Sequence, residues 1–285
     1  MQQTERGIYY ETAYAGVTLG ALIFPQGTLM IDAPLRAEDA RIWRSTLLSL
    51  GSSGNRLLIN LDSHPDRTLG ARAMDCPILA HQKTAQVFRN RPSVFKGQIS
   101  DSGAEWEASN DMVGTRWATP DITFSHHLTF HWGKSQIKLE HHPGPTPGSI
   151  WVIIPTAKIA FVGDTVLHDQ PPFLASADLT AWLASLDLLL AHYRDYLLIG
   201  GRSGPVSIEV VRTQQRLLKD ILKGMERLAK RSASSNQTEA LIEGLLASVT
   251  IPSEKREQYI QRLRHGLYQY YNRRYHSTDS AAEQE

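Results

Sequence analysis

Cysteine is almost missing: Cys76 is the single one in 285 residues, so no internal disulfide can close and no cysteine-rich zinc knuckle can be built. Its ordinary place would be that of a small buried apolar side chain. No run approaches the roughly 18 apolar residues that span a bilayer, and residues 1–6 have no apolar stretch behind a basic start. A cytoplasmic address with no membrane partner is therefore expected. Charge of one sign is missing too, since 30 Lys+Arg against 29 Asp+Glu leave +1, which argues against a whole-molecule footprint for nucleic acid. Nor is there a G-x-G-x-x-G or P-loop spacing, or a Ser-His-Asp or Cys-His set in a supportable order, which removes the commonest nucleotide-binding and nucleophile chemistries.

What is present fits a layered globular chain. Apolar residues make up 41% and charged residues 21%, which excludes disorder and fibrous repeats; the length allows two domains or one large domain with an appendage. Up to about residue 165, short β-like runs alternate with turn residues, at 17–24, 28–32, 57–61, 128–132, 136–140, 150–154 and 158–162. Two helical patterns accompany them. One has Ala40, Trp43, Leu47 and Leu50 stopped by Gly51; the other has Trp182, Leu186, Leu189 and Leu190 behind Asp178 or Thr180 as cap.

From Ser207 the texture is helical alone. Val210, Gln214, Leu217, Ile221, Met225 and Leu228 share a face; a polar loop at 232–237 and a short helix around 240–249 follow; then Ser253 caps a run with Ile260, Leu263, Leu267 and Tyr271. These shifts predict a mixed α/β domain over 1–206, a helical segment over 207–276 and a frayed tail over 277–285. Residues 209–276 hold 13 basic and 7 acidic side chains, against 17 and 19 in 1–208; a solvated basic helix face is the ordinary explanation. The apolar stripe has Tyr268, Tyr270, Arg273, Arg274 and Tyr275 beside it. That aromatic and arginine bias predicts a homodimer through the C-terminal helices, with packing on the chain's own domain as the competing expectation.

Four loops stand just after β-like runs, where α/β sites are usually built. They are Asp62-Ser63-His64-Pro65-Asp66-Arg67, Pro143-Gly144-Pro145-Thr146-Pro147-Gly148-Ser149, Gly163-Asp164-Thr165, and Gly200-Gly201-Arg202-Ser203-Gly204-Pro205-Val206. With the earlier runs at 20–24 and 29–34, these loops, in this order, resemble the metallo-β-lactamase superfamily over about residues 16–206. The resemblance implies an αββα sandwich, here with a C-terminal helical extension, and one or two metals, most often zinc. Those metals are held by H-x-H-x-D-H, a His in a P-G-H-T loop, a bridging Asp and a late His, and they activate water for hydrolysis.

Position by position, the resemblance places Asp62, His64, Asp66 and Arg67 on the first motif, Pro145 on the P-G-H-T histidine, Asp164 on the bridging aspartate, and Ser203, next to Arg202, on the late histidine. Proline offers no side-chain donor and arginine is a permanent cation, so a conventional dinuclear zinc centre is not expected. Converging Asp62, Asp66 and Asp164 would need a counter-charge. Arg67, joined by Arg202, is expected to supply it by forking onto Asp66 or Asp164; an Arg67 that points to solvent is the alternative. This gives a decayed site without cofactor, acting by binding or scaffolding, with an unidentified small molecule or protein as partner. The other reading keeps one divalent metal, Mn, Fe, Mg or Zn, on Asp62, His64 and Asp164, with His142 swinging in as a fourth ligand. That chain would be a hydrolase of an ester, thioester, lactone or phosphodiester, with Asp66 in the catalytic role. His168 is expected at the pocket mouth, and His81 in a structural role.

Overall fold

A five-residue run that is apolar on both sides has to lie inside a layered molecule, because a strand exposed on one face would alternate. Residues 150–154 are such a run, and all five are buried. The computed structural model of the chain describes residues 1–51, 54–97, 102–108, 110–132 and 135–276. The expected tail at 277–285 lies outside these residues. No helix among the described residues is long and apolar enough to cross a membrane.

Two sheets form. The first runs in chain order: β1 (Gln2–Glu5), β2 (Ile8–Glu11), β3 (Leu19–Phe24), β4 (Gly27–Ile31), β5 (Arg56–Ile59), β6 (Ile78–His81) and β7 (Ile122–Phe124). The second is ordered β13 (Gly204–Val206), β12 (Leu197–Gly200), β11 (Ile159–Gly163), β10 (Ile150–Ile154), β9 (Ser135–His141) and β8 (His127–Trp132). The pairs β4/β5 and β11/β12 are parallel. The expected runs correspond to β3, β4, β5 and β8 to β11, whereas β1, β2, β6 and β7 are additions, three or four residues long and too short to show a period.

The alternation of side chains along each strand builds three layers of core. Leu29 and Ile31 of β4, with Ile150, Val152 and Ile154 of β10, fill the space between the sheets. Met30 and Leu58 turn the other way, onto Ala40, Trp43 and Leu47 of α1 (Ala37–Ser49). Trp151 and Ile153 face α4 (Leu179–His192), α5 (Ile208–Ala229), α6 (Ile242–Ala247) and α7 (Arg256–Tyr271). This is an αββα sandwich with C-terminal helices. Cys76 is only partly buried, beside the α1 layer, and burial pushes its thiol up to about 11.

Two of the caps read from the sequence hold: Asp178 accepts from the amides of Thr180 and Ala181, and Ser207 from that of Val210; Ser253 does not cap, since it opens a 3-10 turn before α7 and its hydroxyl bonds Glu254. The polar loop ends earlier than expected, at a 3-10 turn over Ser235–Leu241 that Ser234 and Gln237 cap reciprocally. Leu263, Leu267 and Tyr271 are buried in the same core as Trp182 and Leu174. The stripe expected to face a second copy thus has its occupant within the chain, and Tyr268 is the exposed aromatic beside it.

Candidate functional site

The carboxyl ends of the parallel strands converge, and they carry the polar residues: Asp32 follows β4, Asp62 follows β5, Asp164 follows β11 and Arg202 follows β12. Backbone bonds fix the loops. Asp62 Oδ1 accepts from the amide of His64 at 2.8 Å, and Asp32 Oδ1 from that of Leu61 at 2.9 Å. His64 then caps the short helix α2 (Pro65–Thr68), which starts at Pro65 and aims Arg67 inward.

Arg67 is fully buried. Its Nη1 lies 3.4 Å from both Asp32 Oδ2 and Asp62 Oδ2, and its Nη2 donates to Asp164 Oδ1. Arg202 is as deeply engaged. Its Nε is 3.1 Å from both oxygens of Asp164, Nη1 donates to Asp66 Oδ2 at 2.7 Å and to the Gly16 carbonyl at 3.0 Å, and Nη2 donates to His64 Nδ1 at 3.0 Å. Gly201 is needed between them, since a Cβ there would lie 2.7 Å from Arg67 Nη2 and 2.8 Å from Asp164 Oδ1.

The electrostatics follow from burial. Desolvation opposes charge on Asp164, but Arg202 and Arg67 hold its carboxyl well below the ordinary range. Asp32, with Arg67 at one corner only, is pushed by burial up to about 7. Asp62 and Asp66 also move upward, burial outweighing Arg67 for the first and Arg202 for the second. Burial, seconded by Arg202, keeps His64 neutral well below its usual range; Nδ1 receives Arg202 and the Asp66 amide and so carries no proton. Arg67 stays charged, as Asp164, Asp62 and Asp32 overcome its own desolvation.

A pH effect follows. The folded protein keeps the Asp32 proton to about 7, whereas an ordinary aspartate releases it near 3.8, so this group's contribution to stability falls as pH rises between those values and is level above them. Asp32→Asn is expected to remove that slope, read as the urea midpoint at several pH values from about 4 to 8. A slope identical to that of the parent would assign the titration to another group.

The site is closed. Asp66 Oδ1 accepts from the Trp106 amide at 2.9 Å, Phe173 packs on His64 with ring centroids 4.6 Å apart, and its ring also lies 4.5 Å from the Arg202 guanidinium and 3.9 Å from that of Arg262. Arg262, on α7, donates to the carbonyls of Gly103 and Pro171, and Lys255 and Gln258 hold Glu105. The C-terminal helix thereby clamps the loop that covers the centre.

Of the two expected pairings, Arg67 takes Asp164 and Arg202 takes Asp66; two expected site residues, His142 and His168, are corrected. His142 stacks on Trp151 at 3.5 Å and bonds Glu140, so it is held by those side chains. Ser203 leaves its hydroxyl without a hydrogen bond among the described residues. His168 lies beside Asp169 at a separate cavity, with Gln170 and the start of α5. His81 is structural, bonding the Ser125 carbonyl and capping α3 (Gln82–Asn90). Asp32, Trp106, Phe173 and Arg262 were not foreseen. Only Asp32 had a signal, as the one charge in an apolar strand end.

Among the described residues, no three His, Cys, Asp or Glu side chains are grouped so as to hold a metal ion. The donor chemistry agrees: guanidinium donors engage Asp62, His64, Asp66 and Asp164, the residues that would ligate. The site therefore does not fit a metal as it stands.

Residues 70–201 match the model of the metallo-beta-lactamase superfamily. Over that segment the chain carries a metallo-β-lactamase superfamily domain. Arg67 and Arg202 both fall just outside the matched segment. Among solved structures, a metallo-beta-lactamase from Pontibacter korlensis is 20% identical with a TM-score of 0.54, over 74% of this chain and 93% of that one. The DIM-1 metallo-beta-lactamase is 16% identical at 0.59, over 76% and 95%. The inverting sec-alkylsulfatase Pisa1 from Pseudomonas sp. is 15% identical at 0.65; it covers 98% of this chain, including the C-terminal helices, while this chain spans 51% of it. No curated protein matches the sequence. Likeness at these identities concerns the fold.

Proposed function

We propose that this metallo-β-lactamase-like chain has exchanged its dinuclear centre for two guanidiniums and acts by binding or scaffolding, not by metal-activated hydrolysis. The observation that carries the reading is Arg67, fully buried with its two terminal nitrogens against Asp32, Asp62 and Asp164. Arg202 does the same for Asp66, Asp164 and His64. Each cation is covalently fixed, cannot accept a lone pair and cannot lower the pKa of a bound water, so the centre can hold the fold together but not generate a nucleophile. Its side chains are also sealed, with Asp62, Asp66, Arg67 and Asp164 at most 4% exposed.

Metal analysis of protein purified without chelator tests this. Less than one equivalent of metal and an unchanged melting temperature in chelator are expected. The reading fails if zinc is bound at two equivalents, or if one tightly held metal is lost in both Asp62→Ala and His64→Ala, the second outcome favouring a single-metal hydrolase. Loss of metal affinity on removing even an outer partner of a ligand is about 10–100-fold, so a true first ligand would be plain in such data.

A further inference from the structure

Arg91, the residue just after α3, is a largely buried guanidinium without a counter-ion among the described residues. Its guanidinium carbon lies 4.5 Å from the ring centroid of Trp117 and 5.2 Å from that of Phe88. Burial drags its pKa down to about 10, and Asp62 is the charge that opposes this. Among the described residues its Nη1 has no hydrogen-bond partner and no carboxylate pairs with it. A cation in such surroundings gains more from an incoming anion than an exposed one does, because its desolvation has already been incurred.

The same side chain lines a cavity of about 150 Å³ together with Pro65, Phe95, Lys96, Trp106 and Trp117. Phe95 meets Trp106 and Trp117 edge to face, at 5.0 and 5.6 Å between centroids. The walls are thus aromatic, one end is cationic, and exposed Lys96 adds a second positive charge. Pro65 begins α2, so the cavity adjoins the Arg67 and Arg202 centre without opening into its sealed carboxylates.

We propose that this cavity binds a single-ring aromatic carboxylate, the carboxylate forked by Arg91 and the ring held among Phe95, Trp106 and Trp117. Guanidinium and carboxylate match in planar, two-bond geometry. A void near 150 Å³ is known to admit one benzene ring, and aromatic walls favour edge or offset contact with another ring. A tetrahedral anion such as inorganic phosphate would satisfy the charge but leave the walls uncovered.

The inference gives the binding reading above a ligand class, and it rests on that reading only in this respect. Benzoate titrated into the full chain, followed by calorimetry and tryptophan fluorescence, is expected to bind once per chain. Benzamide, which keeps the ring and loses the charge, is expected to bind about 10–100-fold more weakly, the worth of a charge-assisted hydrogen bond. Arg91→Met should reproduce that loss, and exposed Lys96→Met, which leaves the core untouched, should give a smaller one. Inorganic phosphate should not compete at the concentrations where benzoate binds. No saturable benzoate binding at millimolar concentration, equal binding of benzamide, or effective competition by phosphate would each overturn the proposal. Metal content measured on the same preparation keeps its failure distinct from failure of the metal-free reading.

Discussion

Arg67→Met is expected to lower stability at neutral pH by about 3–5 kcal/mol, the cost of stranding a buried charge. The stranded groups are Asp32, Asp62 and Asp164, two of which burial already pushes upward with the guanidinium in place. Without Arg67, Asp164 keeps only Arg202, and all three carboxyls are driven further toward the neutral form. Asp32 and Asp62, already above the ordinary range, then rise further, so the variant loses stability as pH rises and regains it as pH falls. Urea unfolding of parent and variant at pH about 5 and about 8 reads this directly: the gap should be narrower at the lower pH. A gap below about 1 kcal/mol at both, as for a solvent-exposed ion pair, would show that Arg67 does not hold the centre together. Methionine fills much of the same volume, which keeps a cavity effect from imitating the charge effect.

A chain ending at Arg231 is expected not to fold. It would lose Ile242, Leu245, Leu246, Tyr259, Leu263, Leu267, Tyr270 and Tyr271, all buried against the helix layer of the second sheet. At about 1.5–3 kcal/mol for each buried apolar side chain the loss is about 12–24 kcal/mol as an upper figure, which equals or exceeds the roughly 5–15 kcal/mol that holds a typical domain. It would also release the Gly103 carbonyl from Arg262 and Glu105 from Lys255, and so unfasten the loop over Asp66. Circular dichroism and size exclusion should show an unfolded or insoluble product. A folded, soluble chain would mean that the helices are an appendage, and their inner stripe would again be free to serve a homodimer, as the sequence alone allowed. In the intact protein a dimer through this segment has to use the outer rim around Tyr268.

The sequence by itself determined the layers and which residues stand at the positions of the superfamily's metal ligands. Runs such as 150–154 and the stripes of α1, α4 and α5 report period and face directly, because burial on one side or both is written into local alternation. The order of the strand-end loops brought Asp62, His64, Asp164 and Arg67 under suspicion, and Pro145 and Ser203 showed that imidazoles were missing. Even the pairing of Arg67 with Asp164, 97 residues apart, was legible as a need for compensating charge.

Only the tertiary structure decided which partner each charge took and what covered each apolar face. Asp32 joined the centre because β4 and β5 run side by side and end together. Arg202 took Asp66 and His64 because β12 delivers it across from α2, and His142 was drawn to Trp151. The stripe on α7 turned inward because the helix layer of the second sheet offered it a core. Periodicity names the apolar face of a helix without naming its neighbour, and the desolvation and charge pairing that together shift the pKa values in this site depend on neighbours from distant parts of the chain.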